Sequence, residues 1–239
     1  MYPNKIRWVH LGVVAYGAAL SLQRNLHVRC RAERAHFLLL LQHPPTVTLG
    51  YRPADGHCRL APQELLRLGI DFARAERGGG ATYHGPGQLV AYPLFFLPAW
   101  KLGVKDFIWR LEEVMLRVAA TYGAQAARQP TRPGVWVGEE KIGAVGIAVK
   151  NCVSLHGFAL NINLDLVPFS YIVPCSLPDK GVTSLEVQTG QRISLTEVVE
   201  RTVEAFSDIF AARLEEVTDL PSEAAASVYR EGRSKRGSG

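Results

Sequence analysis

Three features of this 239-residue sequence have residue types that could do chemistry. The stretch RGGGATYHGPGQLVAYP, Arg77 to Pro93, gathers five glycines around an arginine, a tyrosine and a histidine. Consecutive glycines permit positive φ and let a ligand touch backbone N–H groups. That suits a phosphate or the developing oxyanion of an acyl transfer. The phosphate templates are missing: there is no G-x-x-x-x-G-K-[ST], and neither glycine cluster satisfies G-x-G-x-x-G. A hairpin turn is the plainer alternative, although turns rarely collect five glycines beside such side chains.

The second feature is Cys175 in YIVPCSLPDKGVTSL, flanked by prolines in an irregular segment. Such a cysteine is a candidate nucleophile, with buried inert thiol as the alternative. A nucleophilic thiol needs a partner that favours the thiolate. All seven histidines precede Cys175, the reverse of the order in papain-like enzymes. The third feature is therefore Lys141, which opens KIGAVGIAVK. A lysine entering a strand of small apolar residues must snorkel to solvent or meet an anion. Lys150, at the far end, reads as exposed. Cys30 and Cys152 read as packing residues, and no cysteine pair has the spacing of a zinc or redox site.

The elements that must position these residues follow from apolar spacing. Strands are predicted over Ile6–Leu11, Ile70–Ala75 and Gln88–Phe96, and Phe37–Leu41 and Val47–Leu49 read as two strands joined by a tight turn at Pro44-Pro45. Three more fall between Val135 and Leu164: VWV, KIGAVGIAV and VSLHGFALNIN. The last two are apolar on both faces, as central strands are. Helices are predicted over Tyr16–Arg34, Pro62–Leu68, Lys105–Tyr122 and Leu195–Arg213, and Asp165–Leu185 reads as irregular. With no repeat and no long linker, the chain reads as one mixed α+β domain.

Composition narrows the function classes. A 47% hydrophobic content is enough for a real core. No run of eighteen apolar residues or secretory leader is seen, so the expectation is a cytoplasmic protein with no membrane role. The formal charge of +5 is concentrated in the ending REGRSKRGSG, which leaves the body near +2. That tail reads as disordered, and the overall charge gives little support to a nucleic-acid partner.

Four blocks taken together, RGGGATYHGPGQLVAY, KIGAVGI, HGFALNIN and IVPCSLPDKGVTSL, resemble in the same order the lipoyl(octanoyl) transferases. The resemblance runs from about Ile6 to Phe210. It implies the fold of the biotin and lipoate protein ligases, with one catalytic domain over residues 1–220 and a basic tail over 221–239. It also implies octanoyl transfer from octanoyl-acyl carrier protein to a lysine of the lipoyl domains of 2-oxoacid dehydrogenases and of the glycine cleavage H protein, with no cofactor, no metal and no nucleic acid.

Position by position, the resemblance makes Cys175 the acyl-thioester nucleophile and Lys141 its proton-handling partner. It makes Arg77, Gly78, Gly79, Gly80, Ala81, Thr82, Tyr83 and His84 the loop that lines the acyl substrate, with Ala144, Val145 and Gly146 on one strand and Gly157, Phe158 and Ala159 on the next. Ala144 stands where many relatives have serine. The alternatives are an ATP-dependent lipoate-protein ligase of the same fold and a non-catalytic acyl- or nucleic-acid-binding module.

Overall fold

The apolar runs FLLLL and LVAYPL are buried along their whole length, which makes them the centre of a sheet covered on both faces. A computed structural model of the chain describes residues 4–51, 58–130, 132–173 and 181–217. Cys175 and the tail beyond residue 217 lie outside the described residues.

The order is β1 (Asn4–Val13), α1 (Tyr16–Glu33), β2 (Phe37–Gln42), β3 (Thr46–Leu49), α2 (Pro62–Arg67), β4 (Asp71–Arg74), β5 (Ala81–His84), β6 (Gln88–Leu94), α3 (Val104–Thr121), β7 (Ala127–Gln129), β8 (Arg132–Val137), β9 (Glu140–Lys150), β10 (Val153–Asn161), β11 (Gly181–Val182), α4 (Leu185–Thr189), α5 (Leu195–Phe210) and β12 (Ala212–Glu216). Among the described residues these strands make two sheets. The larger is mixed and runs β12-β1-β2-β6-β10-β9-β8-β7, with β11 also paired to β9; the smaller runs β4-β3-β5.

Alternation along the central strands builds two cores. Leu38, Leu40, Leu89, Ala91, Phe158 and Leu160 face the layer that holds α3 and α5. Leu39, Leu41, Val90 and Tyr92 face α1 through Ala19, Leu22 and Leu26. A third cluster, around Val47, Ile70, Tyr83, Phe169 and Ile172, backs the small sheet. The hairpin between β9 and β10 turns on Asn151 and Cys152, both at positive φ, the geometry that matches strand twist in a two-residue turn.

Several expectations change here. β2 and β3 are strands, but they belong to different sheets and do not pair with each other. The Tyr-His end of the glycine stretch is itself a strand, β5, held antiparallel to β3. The last helix stops at Phe210, where Ala211 takes a left-handed φ of 46°, and the chain then forms β12 beside β1. No helix among the described residues is long and apolar enough to cross a membrane.

Candidate active site

The glycine stretch links the two sheets. Gly78 N–H donates to Ile147 O of β9 at 3.0 Å, Gly50 N–H donates to Gly80 O at 3.2 Å, and Tyr51 N–H donates to Arg77 O at 2.9 Å. The fit is close at Gly50, where a Cβ would stand 2.3 Å from Gly79 O. Arg77 braces the stretch from inside: Nη1 donates to Gly78 O and Gly80 O at 3.1 Å, and Nη2 donates to Thr48 O at 3.0 Å and Thr48 Oγ1 at 2.7 Å. From outside, Glu76 is paired with Arg24 of α1 at 3.0 Å and with Lys150 of β9.

Beneath this stretch lies a cleft between the glycine backbone and the β9–β10 pair. Its walls are Arg77, the backbone of Gly78 to Gly80, Ala81, Thr82 and His84 on one side, and Ala144, Val145, Gly146, Gly157, Phe158 and Ala159 of the β9–β10 pair on the other. Tyr83 does not line the cleft. β5 alternates, and this ring turns into the third core to meet Phe169 edge-on at 5.6 Å.

A second cavity shares the walls Thr82, Ala144 and Ala159 with the cleft and contains Lys141. Lys141 is 7% exposed, so it does not snorkel. Its Nζ donates to Pro133 O at 3.1 Å and stands 4.6 Å from the centre of the Trp136 ring. Gly134 leaves it room: its φ is 112°, and a Cβ there would lie 2.5 Å from Gly143 O and 3.4 Å from Lys141 Cε. β11 returns alongside, with Val182 opposite Lys141.

A buried polar chain joins the two cavities. His84 Nδ1 lies 2.7 Å from Gln88 Oε1, and Gln88 Nε2 donates to Tyr83 O at 3.2 Å and to Asn161 Oδ1 at 2.9 Å. Asn161 Nδ2 donates to Thr183 O at 2.9 Å, and Thr183 N–H donates to Lys141 O at 3.0 Å. Because the carbonyls at Tyr83 and Thr183 can only accept, both amides are fixed in orientation and His84 carries its proton on Nδ1. His84 Nε2 then faces Thr48 Oγ1 at 3.5 Å, the limit of a hydrogen bond. Burial, and then the nearby His43, hold the His84 pKa well below 6.5, so the ring is neutral at pH 7. His43 is likewise neutral, its pKa lowered by burial to about 4; Nδ1–H donates to Val14 O at 2.6 Å and Nε2 accepts from Tyr92 OH at 2.7 Å.

An apolar cleft approached by bare backbone and opening beside a buried amine suits a long-chain acyl group with one polar end. The comparisons agree. A model of the lipoyl protein ligase A/B catalytic domain matches residues 15–207. An octanoyltransferase of Caldicellulosiruptor saccharolyticus is 43% identical over 212 residues, covering 87% of this chain and 90% of that protein. The chain belongs to the octanoyltransferase family. A second family member, the octanoyltransferase of Chloroflexus aurantiacus, is 43% identical over 206 residues, covering 84% of this chain and 92% of that protein. Among solved structures, a bi-partite lipoate protein ligase from Thermoplasma acidophilum has a TM-score of 0.76 at 20% identity, covering 97% of this chain and 93% of that one. That likeness shows a shared fold between the octanoyltransferase family and the lipoate ligases.

Sequence reasoning missed several residues at this family's cleft: Tyr16, Val90, Tyr92 and His156 in its walls, and Gln88 and Asn161 in the polar chain. The signal for the last two was a fully polar residue at either end of an apolar strand, in QLVAYPL and VSLHGFALN. Cys175 lies outside the described residues. The described chain leaves at Val173 and returns at Gly181, which pairs with Glu140 one residue before Lys141. Of the other cysteines, Cys30 is buried and bonded to Ala35 O at 2.7 Å, with its pKa pushed by burial to about 12, the opposite of a nucleophile's requirement.

Proposed function

We propose that this protein transfers an octanoyl group from the thioester of an acyl carrier protein to a lysine of a lipoyl domain, through an acyl-enzyme on Cys175. The observation that supports it best is the shared wall of Thr82, Ala144 and Ala159, which sets a largely apolar cleft directly against the Lys141 cavity. Catalysis belongs to residues 1–220, and the basic ending takes no part in it.

In the first half-reaction the Cys175 thiolate attacks the octanoyl carbonyl, a carbon–sulfur bond to Cys175 forms, and the bond to the carrier sulfur breaks. The Lys141 ammonium gives its proton to the departing thiolate, leaving a neutral amine. In the second, the acceptor lysine attacks the same carbonyl as a free amine. Its extra proton passes to Lys141, and the amide forms as the Cys175 thiolate leaves. Both residues are then back in their starting states, so the cycle needs no nucleotide and no metal. The apolar walls near Val145 and Phe158 take the alkyl chain, and burying its methylenes at about 0.8 kcal/mol each contributes several kcal/mol before entropic losses.

The test is intact mass after incubation with octanoyl-acyl carrier protein, without ATP and with chelator present. One octanoyl adduct is expected, lost in Cys175→Ala and retained when Cys30, Cys58 or Cys152 is replaced. A strict ATP requirement, or an adduct that survives Cys175→Ala, would overturn the reading.

A further inference from the structure

The cleft carries polar atoms that this chemistry does not use. Tyr16 OH and His156 Nε2 are buried in its wall without a hydrogen-bond partner among the described residues. Gln23 Nε2, outside that lining, is also buried without a partner among the described residues, while Gln23 Oε1 accepts the His156 backbone N–H at 2.8 Å. Tyr16 and Gln23 are two turns apart on one face of α1. His156 is held at a φ of 58° inside a strand, where a residue with a side chain is uncommon. Burial keeps both groups uncharged at pH 7, with the His156 pKa lowered to about 4 and the Tyr16 pKa raised to about 12. Unpaired buried polar groups are rare, and backbone strain collects at functional sites. Here the two coincide.

Their position has a natural measure. Ala144 and Ala159 face each other across the β9–β10 pair and wall both cavities, so the reactive end of an acyl chain belongs beside them. From Ala159, β10 runs through Phe158 and Gly157 to His156, a distance of about 10 Å at the usual strand rise. Carbon–carbon bonds of about 1.5 Å at tetrahedral angles advance about 1.25 Å each, so an extended octanoyl chain spans about 9 Å.

We propose that Tyr16 and His156, with Gln23 bonded behind His156, form a polar part of the cleft lining that sets the length of acyl chain accepted; the inference rests on the octanoyl-transfer reading. An eight-carbon chain ends short of His156. Two further carbons press a methyl group into this polar lining, whose buried atoms then have no partner, and desolvating such groups is unfavourable.

The test is a donor series of hexanoyl-, octanoyl-, decanoyl- and dodecanoyl-acyl carrier protein, read as kcat/KM. In the parent the value should fall tenfold or more from octanoyl to decanoyl. Tyr16→Phe and Gln23→Leu keep shape and remove the polar atoms; each should raise the decanoyl-to-octanoyl ratio several-fold, and the double variant about tenfold. If the double variant fails to fold, Tyr16→Phe, which loses one oxygen, decides. Octanoyl transfer by the parent with a ratio that neither single variant moves overturns the stop alone. No octanoyl transfer by the parent overturns the underlying reading, and the stop with it.

Discussion

Gln88 and Asn161 stand opposite each other across the β6–β10 pair, and the Gln88 amide donates to Asn161 Oδ1 at 2.9 Å. Through this bond the tautomer of His84 at the cleft is tied to Thr183, whose N–H holds the backbone of Lys141. Replacing Gln88 with Leu leaves His84 Nδ1–H, Tyr83 O and Asn161 Oδ1 buried without it. A loss of about 3 kcal/mol in unfolding free energy is expected, at roughly 1 kcal/mol or more for each group. Denaturant titration of Gln88→Leu measures it; a midpoint equal to the parent's would show that the polar chain is not coupled.

Removing the Lys141 amine should leave the sheet intact and slow both half-reactions. General acid–base help is typically worth about a hundredfold or more, so Lys141→Ala is expected to transfer octanoyl at about one hundredth of the parent rate. If Lys141 acts on Cys175 as proposed, alkylation of Cys175 should also need a higher pH to reach half its maximal rate, because an ammonium beside a thiol favours the thiolate. Overlapping alkylation profiles and preserved turnover would make Lys141 a structural residue only.

Gly134 tests the same cavity from its opposite wall. An alanine there meets Gly143 O at 2.5 Å and must also adopt a φ of 112°, so Gly134→Ala should cost about 1–3 kcal/mol of stability. The displaced backbone carries Pro133 O, the acceptor of Lys141 Nζ, so turnover should fall beyond what the loss of folded protein explains. Melting temperature and specific activity measured on the same sample separate the two effects.

Acid should unfold the protein earlier than its carboxylates alone would. His36, His43 and His156 are buried, and burial lowers each pKa to about 4, against about 6.5 in the unfolded chain. Between those values the unfolded state binds more protons. The stabilisation is therefore complete above about pH 6.5 and is lost as pH falls towards 4. Each histidine adds a slope of about 1.4 kcal/mol per pH unit across that window. His36→Gln, which keeps an acceptor for Phe96 N–H, should reduce the slope by about one proton. A stability flat from pH 7 to 4.5 would contradict this.

The strands most legible in the sequence were those whose burial is set by their own residues. LLLL, GAVGIAV and FAL are apolar on both faces wherever they are placed, and α3 and α5 carry strong helical stripes. What spacing does not encode is which sheet a strand joins: β2 and β3 are separated by only His43, Pro44 and Pro45, yet part into different layers. β5 was hidden because glycines on both sides of ATYH read as one loop. Among cleft residues, the wall positions on β9 and β10 lay inside quoted blocks. Tyr16 of the wall and Thr48, which braces Arg77, did not, because their part is made by contacts between distant stretches of chain, Tyr16 with His84 and Thr48 with Arg77.

The pairing of β12 with β1 also governs the order of folding. Asn4 finds its partner at Ala212, so the first strand made has one edge unfilled until nearly all the described chain has been synthesised. Contacts so far apart in sequence form slowly, and an open strand edge is a template for other chains. A chain cut short before Ala212 would keep the cleft residues and its central strands, yet expose β1 along one side. Self-association would follow, and the yield of soluble enzyme would depend on five residues far from the chemistry.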